Sequence, residues 1–208
     1  MYKLFIKRMF GFISSVLLFL IISPLFVLLA ILVRIKLGRP IFFKQKRTTK
    51  NNKEFEILKF RTMTEERDVN GKYLPDEERL TKFGRFLRSS SLDELPELLN
   101  IIKGDMAVIG PRPLPTSYTR YFKKEEMARF KVRGGLIPPD SIDPSTVISW
   151  DKQFKYESDY GNSVCLLLDI KIMINAIRII FQRNKTDYGS FVRNPLNVER
   201  NKKLNDIY

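Results

Sequence analysis

The feature that most constrains this chain is an uncharged apolar run over residues 11–33, built mostly from Leu, Ile, Phe and Val. As a straight helix, these 23 residues would reach roughly 34 Å, enough for a bilayer core of about 30 Å. The run is longer than the apolar part of a cleaved signal peptide, and no small-residue cleavage site follows it. The sequence therefore predicts a membrane anchor over residues 1–38.

A proline interrupts the middle of this apolar run. Pro24 has no N–H to give to the carbonyl of Leu20, and the hydroxyl of Ser23 is expected to bond back to Phe19 and ease the break. Basic residues flank the run on both sides, although a spanning helix usually has its positive charge mainly on one side. Two alternatives stay open on these residues: a bent helix that enters and leaves by the same membrane face, and a spanning helix with a proline kink.

The composition limits the chemistry. The chain of 208 residues carries a formal net charge of +14, which indicates an anionic partner such as nucleic acid, anionic lipid or a phosphorylated substrate. It has no histidine and one cysteine, which excludes Ser-His-Asp catalysis, Cys-His catalysis and His-ligated zinc. Cys165 lies in an apolar stretch and is expected in the core. A metal, if one binds, would be a hard cation held by oxygen.

Beyond the anchor, the pattern predicts a small α+β domain that is mainly helical, with a short β-hairpin and amphipathic surface helices. The hairpin strands are expected over residues 40–47 and 55–63. Helices are expected over residues 77–87, 117–132, 149–159 and 164–181. Residues 103–113 and 133–144 are predicted to be loops. The last helix suits either packing in the domain or lying on a membrane surface. The predicted domains are residues 1–38, 39–183 and a polar, loosely ordered tail over 184–208.

Two adjacent carboxylates, Asp93 and Glu94, follow a run of serines. The motif Ser91-Leu-Asp-Glu94 has the spacing of a capping box, in which both acids would only stabilise a helix start. Pro96 removes an early backbone hydrogen bond and makes the local turn irregular, which favours a functional role for the pair. Both readings remain open from the spacing.

Three basic residues are candidates for binding phosphate. Lys59 lies on the second predicted strand, Arg88 precedes the two carboxylates, and Arg112 stands between Pro111 and Pro113, which stiffen its backbone. For each of them the plain alternative is a solvated basic side chain.

Taken together, the motifs resemble the monotopic bacterial phosphoglycosyl transferases, the initiating sugar transferases. The similarity covers about residues 7–179. Its carriers are Ser23-Pro24, Lys59-Phe-Arg-Thr-Met63, Arg88-Ser-Ser-Ser-Leu-Asp-Glu-Leu-Pro96, Asn100, Gly104-Asp-Met106, Gly110-Pro-Arg-Pro113, Trp150 and Leu168-Asp-Ile-Lys171.

The resemblance implies a re-entrant helix broken at Ser23 and Pro24, at the cytoplasmic face of the bacterial inner membrane, with both termini in the cytoplasm. It implies that Asp93 attacks the β-phosphorus of a UDP-sugar, that UMP leaves, and that polyprenyl phosphate then takes the phosphosugar. Glu94 would bind Mg²⁺, the implied cofactor. Anionic lipids and downstream glycosyltransferases are implied partners, and nucleic acid is not. The product would start an O-antigen, capsule or glycoprotein glycan.

The chain departs from the family pattern in four places. Gly11 stands where an aspartate is usual, Glu97 where glutamine is usual, and Ala107 where serine is usual. The stretch after Arg133 reads Gly-Gly-Leu-Ile-Pro-Pro-Asp-Ser instead of Pro-Gly-Ile-Thr-Gly-Trp-Ala-Gln. Residues 133–149 are therefore expected to set the choice of sugar.

A function of another class also fits the charge and the anchor. A membrane-anchored basic protein that binds anionic lipid or nucleic acid, or that acts as a scaffold without catalysis, would need both features equally. It would not need the carboxylate pair or the Pro-Arg112-Pro segment, so the transferase is the preferred reading.

Overall fold

A computed structural model describes residues 2–143, 145, 148–182 and 193–205. The chain divides into two compact units. Unit 1 comprises Met1–Gly11, Lys46–Phe55 and Gly104–Tyr208, and unit 2 comprises Phe12–Gln45 and Glu56–Lys103. The domain boundaries inferred from the sequence stay predictions.

The apolar run forms helix α1, Lys7–Leu37, after a π-helical turn at Tyr2–Ile6. Among the residues that the structure describes, α1 is the one helix long and apolar enough to cross a membrane. The Ser23 hydroxyl donates to the carbonyl of Leu20 at 2.8 Å, not to Phe19 as expected. Pro24 has no N–H to donate to the Leu20 carbonyl, and the Ser23 hydroxyl is the donor that replaces it. Helix α1 therefore continues through the proline.

The predicted hairpin is confirmed. Strand β1, Phe42–Thr48, and strand β2, Glu54–Phe60, form a two-stranded antiparallel sheet, joined by a 3₁₀ turn at Lys50–Asn52. Asn51 and Asn52 both have left-handed backbone angles, with φ of 57° and 56°. Asparagine tolerates that region better than most residues, which favours a tight connection here.

Unit 2 has its core between α1, β2 and the helices that follow. The fully buried members of this cluster are Leu29 and Val33 of α1, Phe60 of β2, and Leu87. The end of α1 is also held by Arg61, whose side chain is 5% exposed. Arg61 donates to the backbone carbonyls of Leu37 and, at 2.6 Å, of Arg39. Carbonyls at a helix end have no partner within the helix, so Arg61, the residue directly after β2, supplies one.

The helix predicted over residues 77–87 is two helices, α2 at Asp76–Arg79 and α3 at Lys82–Ser89. The hydroxyl of Thr81 accepts from the Gly84 N–H at 3.0 Å, so Thr81 is the N-cap that starts α3. A 3₁₀ turn at Leu92–Glu94 and helix α4, Glu97–Lys103, complete unit 2.

Unit 1 contains a second small sheet that the sequence did not reveal. Strand β3, Ala107–Ile109, pairs in parallel with β4, Gly135–Ile137, in two stretches that were predicted to be loops. A Cβ at Gly135 would lie 2.1 Å from the Gly110 nitrogen, so the two strands approach as closely as only glycine permits. Three residues per strand are too few to show a strand periodicity.

The helices of unit 1 agree with the sequence in part. The predicted helix over residues 117–132 is two 3₁₀ segments, Thr116–Tyr121 and Lys124–Lys131. Helices α5, Trp150–Ser163, and α6, Leu166–Gln182, are confirmed.

The remaining differences are at Cys165 and in the C-terminal tail. Cys165 is exposed rather than in the core. Residues 193–205 of the supposedly loose tail contain helix α7, Leu196–Asn205, which buries Leu196 completely. The rest of the tail lies outside the described residues.

Candidate active site

The two carboxylates lie on the short 3₁₀ turn between α3 and α4. Ser91 adopts a left-handed conformation with φ of 55° and makes no side-chain cap hydrogen bond, so the capping-box reading is wrong. The Ser89 and Ser90 hydroxyls instead donate to the Phe86 carbonyl at 3.0 and 2.7 Å, at the end of α3. A left-handed non-glycine residue beside paired acids is the kind of strain found at functional sites.

Lys59 is not the solvated cation that its strand position allowed. Its side chain is 19% exposed, and its Nζ donates to Glu94 Oε1 at 2.6 Å and lies 3.1 Å from Glu97 Oε1. One ammonium thus serves two carboxylates. Sequence reasoning noted Glu97 only as a departure from the family, and its partnership with Lys59 depends on a contact between residues 38 positions apart.

Asn100 fixes the strand that carries Lys59. Its Oδ1 accepts from the Leu58 N–H at 2.9 Å, and its Nδ2 donates to the Glu56 carbonyl at 2.8 Å. The Asn100 side chain therefore bonds to β2 as the backbone of an adjacent strand would. Asn100 is 2% exposed. Because the Asn100 amide is buried, loss of these bonds would leave it unsatisfied, so they hold β2 against α4.

Asp93 is half-buried in the same turn. Burial raises the pKa of its carboxyl, and the charge of Glu94 raises it further, while Lys59 and Arg88 act in the opposite direction. The Asp93 carboxylate is thus partly stripped of water and surrounded by charged groups of both signs. That is the environment in which a carboxylate nucleophile gains reactivity.

Arg88 has an exposed side chain that is anchored at one atom. Its Nε donates to Thr62 Oγ1 at 3.0 Å, and Thr62 is 6% exposed. This bond restricts the orientation of the guanidinium, which suits a group that binds an anion. Unit 2 therefore brings together four of the five predicted charged site residues: Lys59, Arg88, Asp93 and Glu94.

Arg112, the fifth predicted residue, belongs to unit 1, where it is exposed. Its backbone N–H donates to Glu157 Oε1 at 2.9 Å, and its carbonyl accepts from Arg129 Nη2 at 2.6 Å. Arg129 and Glu157 were not identified from the sequence, since a buried ion pair across 28 residues has no local signal.

The residues present suit a hard divalent cation. Within the described residues, no group of three or more His, Cys, Asp or Glu side chains is arranged to hold a metal. Mg²⁺ at sites of phosphoryl chemistry nevertheless takes only one or two carboxylates, together with substrate phosphates and water. The Asp93–Glu94 pair, with the pKa of Asp93 raised by burial and then by the charge of Glu94, fits that demand.

The family model described as bacterial sugar transferase matches residues 2–183 of this chain. The chain belongs to the bacterial sugar transferase family. This confirms the family inferred from the sequence motifs, among them the carboxylate pair, the Pro-Arg112-Pro segment and Ser23-Pro24.

Curated relatives are similar over most of the chain. An uncharacterized sugar transferase, EpsL, of Bacillus subtilis is 40% identical over 83% of this chain and 86% of its own length. A UDP-glucose:undecaprenyl-phosphate glucose-1-phosphate transferase of Caulobacter vibrioides is 32% identical over 82% of this chain and 68% of its own. The exopolysaccharide production protein ExoY of Sinorhizobium fredii is 32% identical over 82% and 83%.

Proposed function

We propose that this enzyme transfers a phosphosugar from a UDP-sugar to undecaprenyl or a similar polyprenyl phosphate, releasing UMP, as the first membrane step of exopolysaccharide assembly. The activity for which the Caulobacter relative is named and the exopolysaccharide role for which the Sinorhizobium relative is named support this choice. The observation in this chain that carries it is Asp93, half-buried beside Glu94, which shares the Lys59 ammonium with Glu97.

The proposed chemistry has two displacements at one phosphorus. A carboxylate oxygen of Asp93 forms a bond to the β-phosphorus while the bond to UMP breaks, and UMP leaves with the electron pair. An oxygen of polyprenyl phosphate then attacks the same phosphorus and releases Asp93. A covalent aspartyl intermediate suits a chain without histidine, in which carboxylates are among the few nucleophiles left.

The fixed cations would stabilise the charge that develops on the phosphoryl oxygens. Arg88, anchored through Thr62, and Lys59, anchored through Glu94 and Glu97, are held before substrate arrives. Groups that need not reorganise during the reaction contribute most to catalysis. Arg112 is proposed to bind a substrate phosphate as well. Mg²⁺, held by Glu94 and the substrate phosphates, would neutralise phosphate charge.

Membrane attachment is proposed to be re-entrant at the cytoplasmic face of the inner membrane, with both ends of the chain in the cytoplasm. Within unit 1, Lys7 at the start of α1 is bound to Tyr160 and, at 2.5 Å, to Asp169 of α6. Helix α6 has exposed apolar side chains, among them Leu167, which is 78% exposed, and Ile170, which is 45% exposed. Such a face suits an anionic membrane surface next to the point where α1 enters.

The decisive test is release of UMP by the purified protein in Mg²⁺, with UDP-sugars and without any lipid acceptor. We expect at most one equivalent of UMP per enzyme without acceptor and continuous release with polyprenyl phosphate. Omission of Mg²⁺ should suppress both. No UMP from any UDP-sugar, with a folded wild-type protein, would favour a binding or scaffold role.

Topology is tested by labelling single cysteines at positions 3 and 202, after Cys165→Ser, with a reagent that cannot cross the membrane. Both should be protected in intact spheroplasts and labelled after lysis. Replacement of Ser23 and Pro24 by Leu and Ala should expose position 3. Labelling of position 3 without that replacement would mean a spanning helix.

Sugar choice is proposed to depend on residues 133–149. Exchange of this segment for the usual family sequence should change which UDP-sugar gives the highest kcat/KM, with little loss on the best substrate. An unchanged ranking of UDP-sugars would place recognition elsewhere.

A further inference from the structure

The backbone of Arg112 is held on both sides by one buried ion pair. Glu157 accepts the Arg112 N–H at 2.9 Å, and Arg129 donates to the Arg112 carbonyl at 2.6 Å. The two side chains lie 2.9 Å apart and are 0% and 2% exposed. All three residues belong to unit 1.

The prolines on either side leave Arg112 little freedom. Pro113 disfavours the helical region for the residue before it, and Pro111 has a fixed φ. With the N–H and the carbonyl of Arg112 both bonded, its φ and ψ are determined, and its exposed side chain extends from a fixed backbone. The segment thus presents one guanidinium from a rigid backbone.

Stability alone does not explain the contacts that this ion pair makes. Arg129 lies against the rings of Phe122, Phe130 and Phe154, with its guanidinium carbon 4.7, 5.2 and 5.4 Å from their centroids. Its Nε and Nη1 have no hydrogen-bond partner in the described residues, so Nη2 alone serves both Arg112 and Glu157. A buried pair is often no more stabilising than apolar side chains of the same volume. A geometric role accounts better for this pair.

Glu157 is itself positioned from its own helix. Gln153, one turn earlier on α5, donates to Glu157 Oε1 at 2.9 Å. The Gln153 Oε1 in turn accepts from Arg193 Nη2 at 2.8 Å, and Arg193 lies over the Trp150 ring at 3.5 Å. The oxygen that receives the Arg112 N–H is therefore fixed by a chain of contacts within unit 1.

We propose that Arg129 and Glu157 are positioning residues for the transferase reaction: they clamp the two backbone groups of Arg112 and so aim its guanidinium at a substrate phosphate. This proposal rests on the proposed function. It predicts that the pair acts on catalysis only through the Arg112 side chain.

A double-mutant cycle tests this dependence directly. Glu157→Gln keeps the size of the side chain and an acceptor oxygen, but it removes the charge that holds Arg129 beside the Arg112 carbonyl. In the wild-type background we expect kcat/KM for the UDP-sugar to fall about tenfold, mainly through KM. In the Arg112→Ala background the same change should alter kcat/KM by less than about twofold, because no guanidinium remains to be aimed.

A matched control comes from another largely buried ion pair among the described residues of unit 1. Glu126 lies 2.6 Å from Arg200, with side chains 9% and 10% exposed. Glu126→Gln should lower Tm as Glu157→Gln does and leave KM unchanged. If Glu157→Gln fails to fold, Gln153→Met serves instead, since it removes a donor to Glu157 without a change of charge. We expect an effect of about threefold on KM that vanishes with Arg112→Ala.

The outcomes separate the two proposals. Equal effects of Glu157→Gln in both backgrounds, or an Arg112→Ala enzyme with wild-type kcat/KM, would overturn the positioning role while UMP release by the wild-type enzyme stands. A folded wild-type protein that releases no UMP would overturn the transferase function itself, and the positioning role with it.

Discussion

The ion pairs at Lys59 in unit 2 and at Arg129 in unit 1 are built from the same kinds of groups and differ in charge balance. At Lys59 one ammonium serves two carboxylates, Glu94 and Glu97, and the Asp93 carboxyl adds further negative charge. At Arg129 one guanidinium faces Glu157, and backbone groups of Arg112 take further bonds. The first cluster has negative charge in excess, whereas the second pairs one cation with one carboxylate.

The two clusters also differ in the solvent exposure of their side chains. The side chains of Lys59 and Glu94 are 19% and 24% exposed, while Arg129 and Glu157 are almost completely buried. An unbalanced, partly exposed cluster can accept a cation or a reacting phosphate, because both relieve repulsion among its carboxylates. A balanced, buried pair gains nothing from a ligand and instead fixes geometry. We propose that the first cluster takes part in the chemistry and the second in positioning, and the predictions below test this proposed difference.

The largest effect is expected from Asp93→Asn. If Asp93 is the nucleophile, its amide cannot form the covalent intermediate, and kcat should fall by roughly a thousandfold or more. The fold should survive, since Asp93 is only half-buried. Continuous UMP release measures kcat, and thermal unfolding in detergent checks the fold. An Asp93→Asn enzyme with near-normal activity would remove the distinction between the two clusters.

The second prediction concerns stability rather than rate. Arg129→Met should leave Glu157 buried without its cation and lower the free energy of unfolding by about 3–5 kcal/mol. Chemical denaturation of the detergent-solubilised protein measures this value. Arg129→Met combined with Glu157→Leu should recover much of the loss, because no buried charge is then left unpaired. A single variant as stable as wild type would mean that the pair is not charged in the folded state.

The third prediction concerns removal of the cation from the unbalanced cluster at Lys59. Lys59→Met should reduce kcat/KM roughly a hundredfold, since Glu94 and Glu97 lose their shared cation beside Asp93, but Tm should fall less than in Arg129→Met. Glu97→Gln is the matched control, because it retains an acceptor for Lys59 and relieves excess negative charge. Its kcat/KM should stay within about threefold of wild type. A larger loss of Tm than of activity in Lys59→Met would make Lys59 a structural residue.

The sequence predicted those features that depend on neighbours along the chain. The long apolar helix α1, the hairpin, α5 and α6 follow from apolar runs, alternation and helical periodicity, and Lys59, Asp93 and Arg112 became candidates through their motifs. What it missed depends on contacts between distant segments. The capping box failed because Ser91 adopts a left-handed conformation, and β3 and β4 were missed because parallel strands of three residues pair 28 positions apart.

The site shows the same limit. No local pattern marks Arg129 or Glu157 as the partners of Arg112, since the bonds join residues 17 and 45 positions apart. Glu97 became interpretable only when Lys59 was found beside it. Motifs therefore indicated the groups that are proposed to meet the substrate, and the structure was needed to find the groups that hold them.

The smallest expected effect is at Asp140, which lies near the balanced pair. Burial, and then the charge of Glu157, raises the pKa of the Asp140 carboxyl from 3.8 to about 6, although Arg112 and Arg193 act in the opposite direction. Its Oδ1 is buried and has no hydrogen-bond partner among the described residues. An ionised Asp140 therefore costs stability that a protonated one does not.

The sign of the pH dependence follows from proton binding. Between about pH 4 and pH 6 the folded state holds the Asp140 proton more tightly than the unfolded chain, so this contribution to stability is full at low pH and is lost as the pH rises through about 6. A shift of that size corresponds to about 2–3 kcal/mol at neutral pH. Asp140→Asn should therefore be more stable than wild type by about 2 kcal/mol near pH 7.5, and the two should converge near pH 4. Tm measured for both proteins across this range decides the matter, and a constant difference at every pH would show that Asp140 does not titrate in this window.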